Sequence, residues 1–210
     1  MAEDYYSHER PELVRQIPVG PGHVVLDLGC GVGALSSALK NSGRAEEVWG
    51  VEVVPEVAER ARRNADLDKV LAGDIEKLVD DLPRAHFTHI IAGDVLEHLV
   101  DPWAVLGRLR LLLRPGGRFI CSLPNIRNLS FIAKLLLAGS FEYRDSGVMD
   151  RTHLRFFARK DVLEMFRGAG FHDITIGPAR PKRRIGYRLA RALLGDLIVK
   201  SLLVTAVNAG

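Results

Sequence analysis

The stretch Val24-Val25-Leu26-Asp27-Leu28-Gly29-Cys30-Gly31-Val32-Gly33 decides the fold. A short run rich in branched apolar residues reads as a buried strand; glycines at alternate positions then turn the chain, and ALSSALKN follows with helical spacing. Strand, glycine turn and helix in that order open a doubly wound α/β sheet, whose ligands sit beyond the carboxyl ends of the strands. The glycines let backbone approach a ligand closely and adopt φ > 0 at little cost.

The alternation continues on the carboxyl side. Strands are predicted over 23–28, 48–53, 70–72, 87–93 and 118–123, with helices over 32–41, 55–65, 75–81 and 101–113 between them. The runs IIAG and RFICSL are apolar enough to be covered on both faces, as a parallel sheet requires. Pro55 and the Asp101-Pro102 pair sit at helix starts, and Arg114-Pro115-Gly116-Gly117 is read as a turn into the next strand. After Leu123 the pattern changes. Residues 125–157 are too long and too polar-aromatic for a simple connection and are read as a lid or substrate-facing insertion. A helix over 159–168, a strand over 171–176, a basic helix and a strand over 201–207 complete the expected elements.

Composition narrows the class. The chain has 210 residues, suited to a single domain over 1–210, and its 29 basic against 26 acidic residues give a net charge of +3. A hydrophobic share of 47% excludes a disordered or collagen-like chain. Cys30 and Cys121 are far apart, with no CxxC spacing, so no zinc site or disulfide is assigned, no metal ligand is named, and a reducing, cytoplasmic setting is expected. The start MAEDYYSHER lacks the basic-then-apolar pattern of a secretion signal, and the apolar stretch 190–210 is interrupted by Asp196 and Lys200, so no transmembrane segment is expected.

The ends of the predicted strands carry acids. Asp27 lies two residues before the first glycine, where negative charge suits a ligand with cationic or hydroxyl groups better than a pyrophosphate. Glu52, about 20 residues past the loop, stands where a carboxylate accepts both hydroxyls of a ribose. Asp74, in LAGDI, can accept from an adenine amino group, and Asp94 ends the fourth strand ahead of Val95-Leu96-Glu97-His98.

Taken together, VVLDLGCGVG, VEVV, LAGDI, FTHIIAGDVLEHLVDP and LLLRPGGRFICSLPN resemble the class I, Rossmann-like S-adenosylmethionine-dependent methyltransferases over essentially the whole chain. The resemblance implies a seven-stranded, mostly parallel sheet with an antiparallel last strand and helices on both faces. It implies S-adenosylmethionine as cofactor, with Asp27, Gly29, Gly31 and Gly33 bordering its amino-acid part, Glu52 the ribose, Asp74 and Ile75 the adenine, and Asp94 and His98 near the sulfonium. Val53 and Val54 offer no polar contact, so adenine recognition is expected to lean on packing. The Tyr5-Tyr6 leader resembles one that closes over the cofactor in some branches, or it packs a frayed end.

The segment DRTHLRFF, with SLPN and LLLAGSFEYRDSG, resembles a bacterial small-molecule or sugar-type branch related to methionine-biosynthesis W-type proteins. Within it, His153 is the candidate base, Asp150 sets its tautomer or acts alone, Arg151 or Arg155 holds an anionic acceptor, and His98 is a second candidate base. The alternative is bracing: Asp150 paired to an arginine, Phe156 and Phe157 in the core, His153 bonded to backbone. The basic run Arg180, Lys182, Arg183, Arg184, Arg188, Arg191 could meet an anionic surface, while its lack of stacking aromatics, and of the Asn/Asp-Pro-Pro-aromatic motif at the fourth strand, argues against nucleic acid. The reading is methyl transfer to an oxygen of a small-molecule or glycan-type acceptor. N-methylation, a non-catalytic cofactor-binding protein and a nicotinamide oxidoreductase remain as alternatives, the last disfavoured by GxGxG spacing.

Overall fold

Seven strands build one sheet in the order β3-β2-β1-β4-β5-β7-β6. The computed structural model describes residues 9–181 and 184–210. Along the chain the elements are α1 (Pro11–Val14), β1 (Val24–Leu28), α2 (Ala34–Asn41), β2 (Glu47–Glu52), α3 (Pro55–Ala61), β3 (Lys69–Ala72), α4 (Ile75–Leu78), β4 (Phe87–Gly93), α5 (Pro102–Leu112), β5 (Leu113–Pro124), α6 (Leu129–Ala138), α7 (Arg159–Gly168), β6 (Phe171–Pro178), α8 (Ile185–Leu194) and β7 (Ser201–Asn208). Strands β1 to β5 pair in parallel, and β7 runs antiparallel to both of its neighbours. This is the Rossmann-like methyltransferase fold that the motifs imply.

Strand periodicity sorts side chains onto two covered faces. Leu26 and Leu28 of β1, Ile90 and Ala92 of β4, and Phe119 and Cys121 of β5 face one layer, closed by Leu106 and Leu109 of α5 and Val162 and Phe166 of α7. Val25, Ile91 and Ile120 face the other, closed by Leu13 of α1 and Leu35 and Leu39 of α2. All five residues of β1 are buried because it lies mid-sheet between β2 and β4. Helix starts follow the sequence: Pro55 and Pro102 occupy first-turn positions, and the Asp101 carboxylate accepts from Ala104 N at 3.0 Å.

One boundary differs. Residues 114–117 do not separate helix from strand; β5 already begins at Leu113, which pairs with Phe87 before the register jumps to His89 opposite Arg118. The Pro-Gly-Gly turn is therefore absorbed as a bulge within the strand. The segment 125–157 leaves the sheet beside its own return, where Asn125 bridges Phe157, and carries α6 on its outgoing limb.

Candidate active site

The glycine loop folds back on β2: Gly29 N and Cys30 N both donate to Val51 O, at 2.8 and 3.1 Å. Gly29 and Gly31 have φ of +66° and +56°, the left-handed region that favours glycine. This brings Gly31 N to 3.0 Å from Glu52 Oε2, while Val54 N donates to Glu52 Oε1 at 2.9 Å. Glu52 is thus held in place by two backbone N–H groups at the carboxyl end of β2. Asp27 lies on the adjacent strand, opposite Gly50, and its Oδ2 accepts from Ser36 Oγ at 3.2 Å. Burial pushes the Asp27 carboxyl up to about 7; Ser36 and Arg10 oppose the shift and Glu52 adds to it.

Asp74 caps α4, its Oδ1 accepting from Glu76 N at 2.9 Å. Asp94 follows β4 in the left-handed region at φ 54°, a conformation Asp tolerates better than most side chains. Its Oδ1 accepts from Ser122 Oγ at 2.7 Å, and Arg10 Nη1 lies 2.5 Å from its Oδ2. Gly93 makes room for this pairing, since a Cβ there would sit 2.9 Å from both Arg10 Cδ and Leu13 Cδ1. Burial works against the Arg10 charge, yet the Asp94 carboxylate outweighs it and raises the guanidinium pKa.

Asp27, Gly29, Gly31, Glu52, Asp74, Ile75, Asp94 and His98 all line one cleft of about 740 Å³, with Val53 and Val54 on its wall. Gly33 is not among the residues that line it. It is the N-cap of α2 and faces inward, where a Cβ would meet Asn64 Nδ2 at 2.5 Å and Leu67 Cδ1 at 2.7 Å.

A second cavity of about 550 Å³ adjoins the first and shares Arg10, Asp94, His98 and Asp150 with it. Phe131 and Lys134 of α6, Val148, Met149, His153 and Lys200 complete much of its wall. The returning limb is pinned to the turn after β4: Leu154 N and Arg155 N donate to Glu97 O at 2.9 and 3.0 Å. His98 Nδ1 lies 3.1 Å from Thr152 O. A carbonyl can only accept, so Nδ1 carries the proton and Nε2 presents its lone pair. Burial, helped by nearby His153, lowers the His98 pKa and keeps the ring neutral at pH 7.

His153 is buried, with Nδ1 3.1 Å from Val148 O. The Val148 carbonyl therefore fixes its tautomer. The expectation that Asp150 does so is corrected, because Asp150 Oδ1 accepts from Thr152 N at 2.9 Å and Thr152 Oγ1 at 2.7 Å. Burial raises the Asp150 pKa, but the Thr152 hydrogen bonds outweigh it and hold the carboxyl below the usual range. Much of the bracing reading describes the segment: His153 bonds backbone and Phe157 is buried, while half-buried Phe156 lies edge-on to Phe141. The arginine pairing differs, since Arg151 meets Asp145 at 3.1 Å rather than Asp150.

Sequence reasoning missed two residues. Arg10 has no motif of its own and is drawn in by the fold. Glu97 was visible as an acid inside the apolar run VLEHL. It is 1% exposed, and neither carboxylate oxygen has a hydrogen-bond partner among the described residues. Burial pushes its pKa well above the carboxylate range, and Asp94 pushes further. Its Oε1 lies 3.9 Å from His153 Nε2. Ligand-type atoms of Glu97, His98 and His153 all fall within 4.8 Å of one another, a grouping the sequence did not single out although it left a Mg2+ site open.

Tyr5, Tyr6, Lys182 and Arg183 lie outside the described residues. Among the described residues no helix is long and apolar enough to cross a membrane.

The family described as "Methyltransferase domain" matches residues 3–176. The chain belongs to that family. It is 32% identical over 165 residues to the ubiquinone biosynthesis O-methyltransferase of Xylella fastidiosa strain M23, covering 72% of this chain and 61% of the relative. It is 31% identical over 137 residues to the protein of the same name from Xanthomonas campestris pv. campestris strain B100, covering 60% and 56%. The chain thus spans about three fifths of the curated relatives it matches. Among solved structures, a SAM-dependent methyltransferase from Archaeoglobus fulgidus superposes with a TM-score of 0.70 at 16% identity, covering 98% of this chain and 96% of that one. One from Mesorhizobium loti gives 0.66 at 21% identity, covering 94% and 96%. These two show the shared fold.

Proposed function

We propose that this methyltransferase domain transfers a methyl group from S-adenosylmethionine to a hydroxyl oxygen of a small acceptor seated in the second cavity. The observation that carries the reading is the pair of buried carboxylates, Asp27 and Glu52, facing a cleft that continues directly into a cavity walled by His98. Two carboxylates in a poorly solvated cleft suit a ligand that brings positive charge and hydroxyl donors, and they disfavour a phosphate. Glu52, fixed by Gly31 N and Val54 N, is placed to accept from ribose hydroxyls; Asp27 is placed to meet an ammonium. When bound, the cofactor supplies an electrophilic methyl on a sulfonium.

The chain's own residues do the rest. His98 is neutral, has Nδ1 committed to Thr152 O, and stands on the wall common to both cavities. Its Nε2 would take the acceptor's hydroxyl proton as that oxygen gained the methyl and the sulfur kept the electrons of the broken S–CH3 bond, leaving as a neutral thioether; Asp94 and Asp150, on the same wall, would stabilise the imidazolium that results. His153 lines only the second cavity and is a positioning group held by Val148 O. The O-methyltransferase names of the relatives support oxygen over nitrogen as the acceptor atom. A small-molecule acceptor, glycan-type ones included, fits a cavity that combines Phe131 and Met149 with Lys134 and Lys200.

A second reading has its own observation. The orphaned Glu97 with His98 and His153 could hold a divalent cation, which would make His98 a ligand rather than a base. Turnover lost to a chelator and restored by Mg2+ would select that reading.

Calorimetric titration with S-adenosylhomocysteine tests the main proposal. Saturable binding is expected, weakened on the order of 100-fold in Glu52→Ala, since two charge-assisted hydrogen bonds are lost. Absence of binding in the wild type would overturn it.

A further inference from the structure

Helix α8 has no buried residue, and its aliphatic side chains Ile185, Leu189, Leu193 and Leu194 are exposed. Ile185, Leu189 and Leu193 recur every fourth residue and so form one stripe; they are 75%, 63% and 86% exposed. Tyr187, Ala190 and Arg191, on the other side of the helix, are half-buried against the protein. Arg184 and Arg188 flank the stripe on one side. At the foot of the helix a groove is lined by Arg15, Arg180, Arg188 and Arg191, against the single acid Glu12. That acid is occupied by Arg180, whose Nε and Nη2 donate to Glu12 Oε1 at 3.2 and 3.1 Å. From 174 to 195 the sequence holds six cations and no acid.

We propose that α8 is a membrane-surface helix, its leucine stripe lying in the acyl boundary of a bilayer while the arginines of the flank and groove hold anionic phospholipid headgroups. Both halves of the feature point to this occupant. An apolar stripe beside a basic flank matches the layered chemistry of an anionic interface, with hydrocarbon below and phosphate above. Guanidinium groups grip phosphate oxygens in bidentate fashion. A second copy of this chain fits less well: pairing the stripes would set arginines against arginines, and three side chains fall far short of the roughly 1,200–2,000 Å² that stable protein interfaces bury.

The test is flotation of the purified full chain with vesicles of phosphatidylcholine, with and without phosphatidylglycerol. Association is expected only with the phosphatidylglycerol vesicles, weakening as salt rises. Leu189→Glu with Leu193→Glu should abolish it, Leu189→Ile should keep it, and Arg188→Glu should reduce it about tenfold. S-adenosylhomocysteine affinity, unchanged in all of these, verifies that the variants fold. Wild-type protein left in the aqueous fraction would overturn the proposal, as would equal flotation of the double glutamate variant. So would light scattering that shows a wild-type dimer made monomeric by the glutamates, because the stripe would then be covered by a second copy.

Discussion

The two cavities meet at one wall, yet they are built in opposite ways. The first is made at the ends of consecutive parallel strands, and its key side chains are oriented by backbone: Gly31 N and Val54 N hold Glu52, and Asp94 is fixed between Ser122 and Arg10. The second is made by a long excursion between β5 and α7, tied down at a few points such as Glu97 O and Thr152 O. Strand ends fix geometry because the whole sheet must deform to move them; a pinned segment can be reshaped by losing one tie. A scaffold divided in this way keeps its cofactor chemistry constant while its acceptor changes.

His98 lies where the two constructions touch, and breaking it should have the largest effect. His98→Ala is expected to lower turnover by on the order of 10²–10⁴, the usual contribution of a general base, with S-adenosylhomocysteine affinity nearly unchanged. His153→Ala should instead raise the acceptor KM with a smaller change in kcat, as suits a positioning group. Equal losses in the two variants would make the pair a single unit and blur the boundary between the cavities.

A smaller effect belongs to the first cavity alone. Asp27 is raised to about 7 in the folded protein, so without ligand it is partly protonated at neutral pH. A cationic ligand favours the carboxylate and must release that proton; affinity for S-adenosylhomocysteine should therefore rise about tenfold from pH 6 to pH 8 and level off above. The sign for stability is opposite. The folded form binds more protons than the unfolded chain between the ordinary Asp range and about 7, so the ligand-free domain loses stability as pH rises through that window. Titrations in buffers of different ionisation enthalpy report the released proton directly, and Asp27→Asn should abolish the pH dependence.

The smallest expected effect tests the second cavity as a reshaped surface. Phe141 is 45% exposed and touches Phe131, Tyr143 and Phe156 edge-on. Phe141→Ala should cost about 1 kcal/mol in stability, near the value of one exposed aromatic contact, while shifting acceptor preference and leaving cofactor affinity alone. Chemical denaturation beside an acceptor screen separates the two readouts.

Legibility followed the same division. The strands of the first half, and the acids at their ends, could be read from VVLDLGCGVG to FTHIIAGD because burial on both faces and strand-end chemistry leave periodic, local marks. The packing of Gly33 was not legible, because a glycine required by contact with Asn64 and Leu67 looks the same in sequence as one that clears space for a ligand. Arg10 was invisible because its partner Asp94 is 84 positions away and only the fold brings them together. At His98 and in DRTHLRFF the residue types suggested chemistry, but the partners of the two histidines are backbone carbonyls, Val148 O for His153 and Thr152 O for His98. Carbonyls carry no sequence signature, so neither tautomer could be assigned before the fold was known.

The placement of β7 has a consequence for how the protein is made. It lies between β5 and β6, antiparallel to both, and among the described residues β6 pairs with no other strand. While the chain emerges from the ribosome, the first five strands can assemble in parallel, but the edge of β5 stays open and β6 has nothing to join until Ser201–Asn208 arrives. An open strand edge invites pairing with other chains. Nascent protein is therefore most vulnerable to aggregation in the interval before β7 slots in, and substitutions in β7 should cut the yield of soluble product more than equally buried ones in β1.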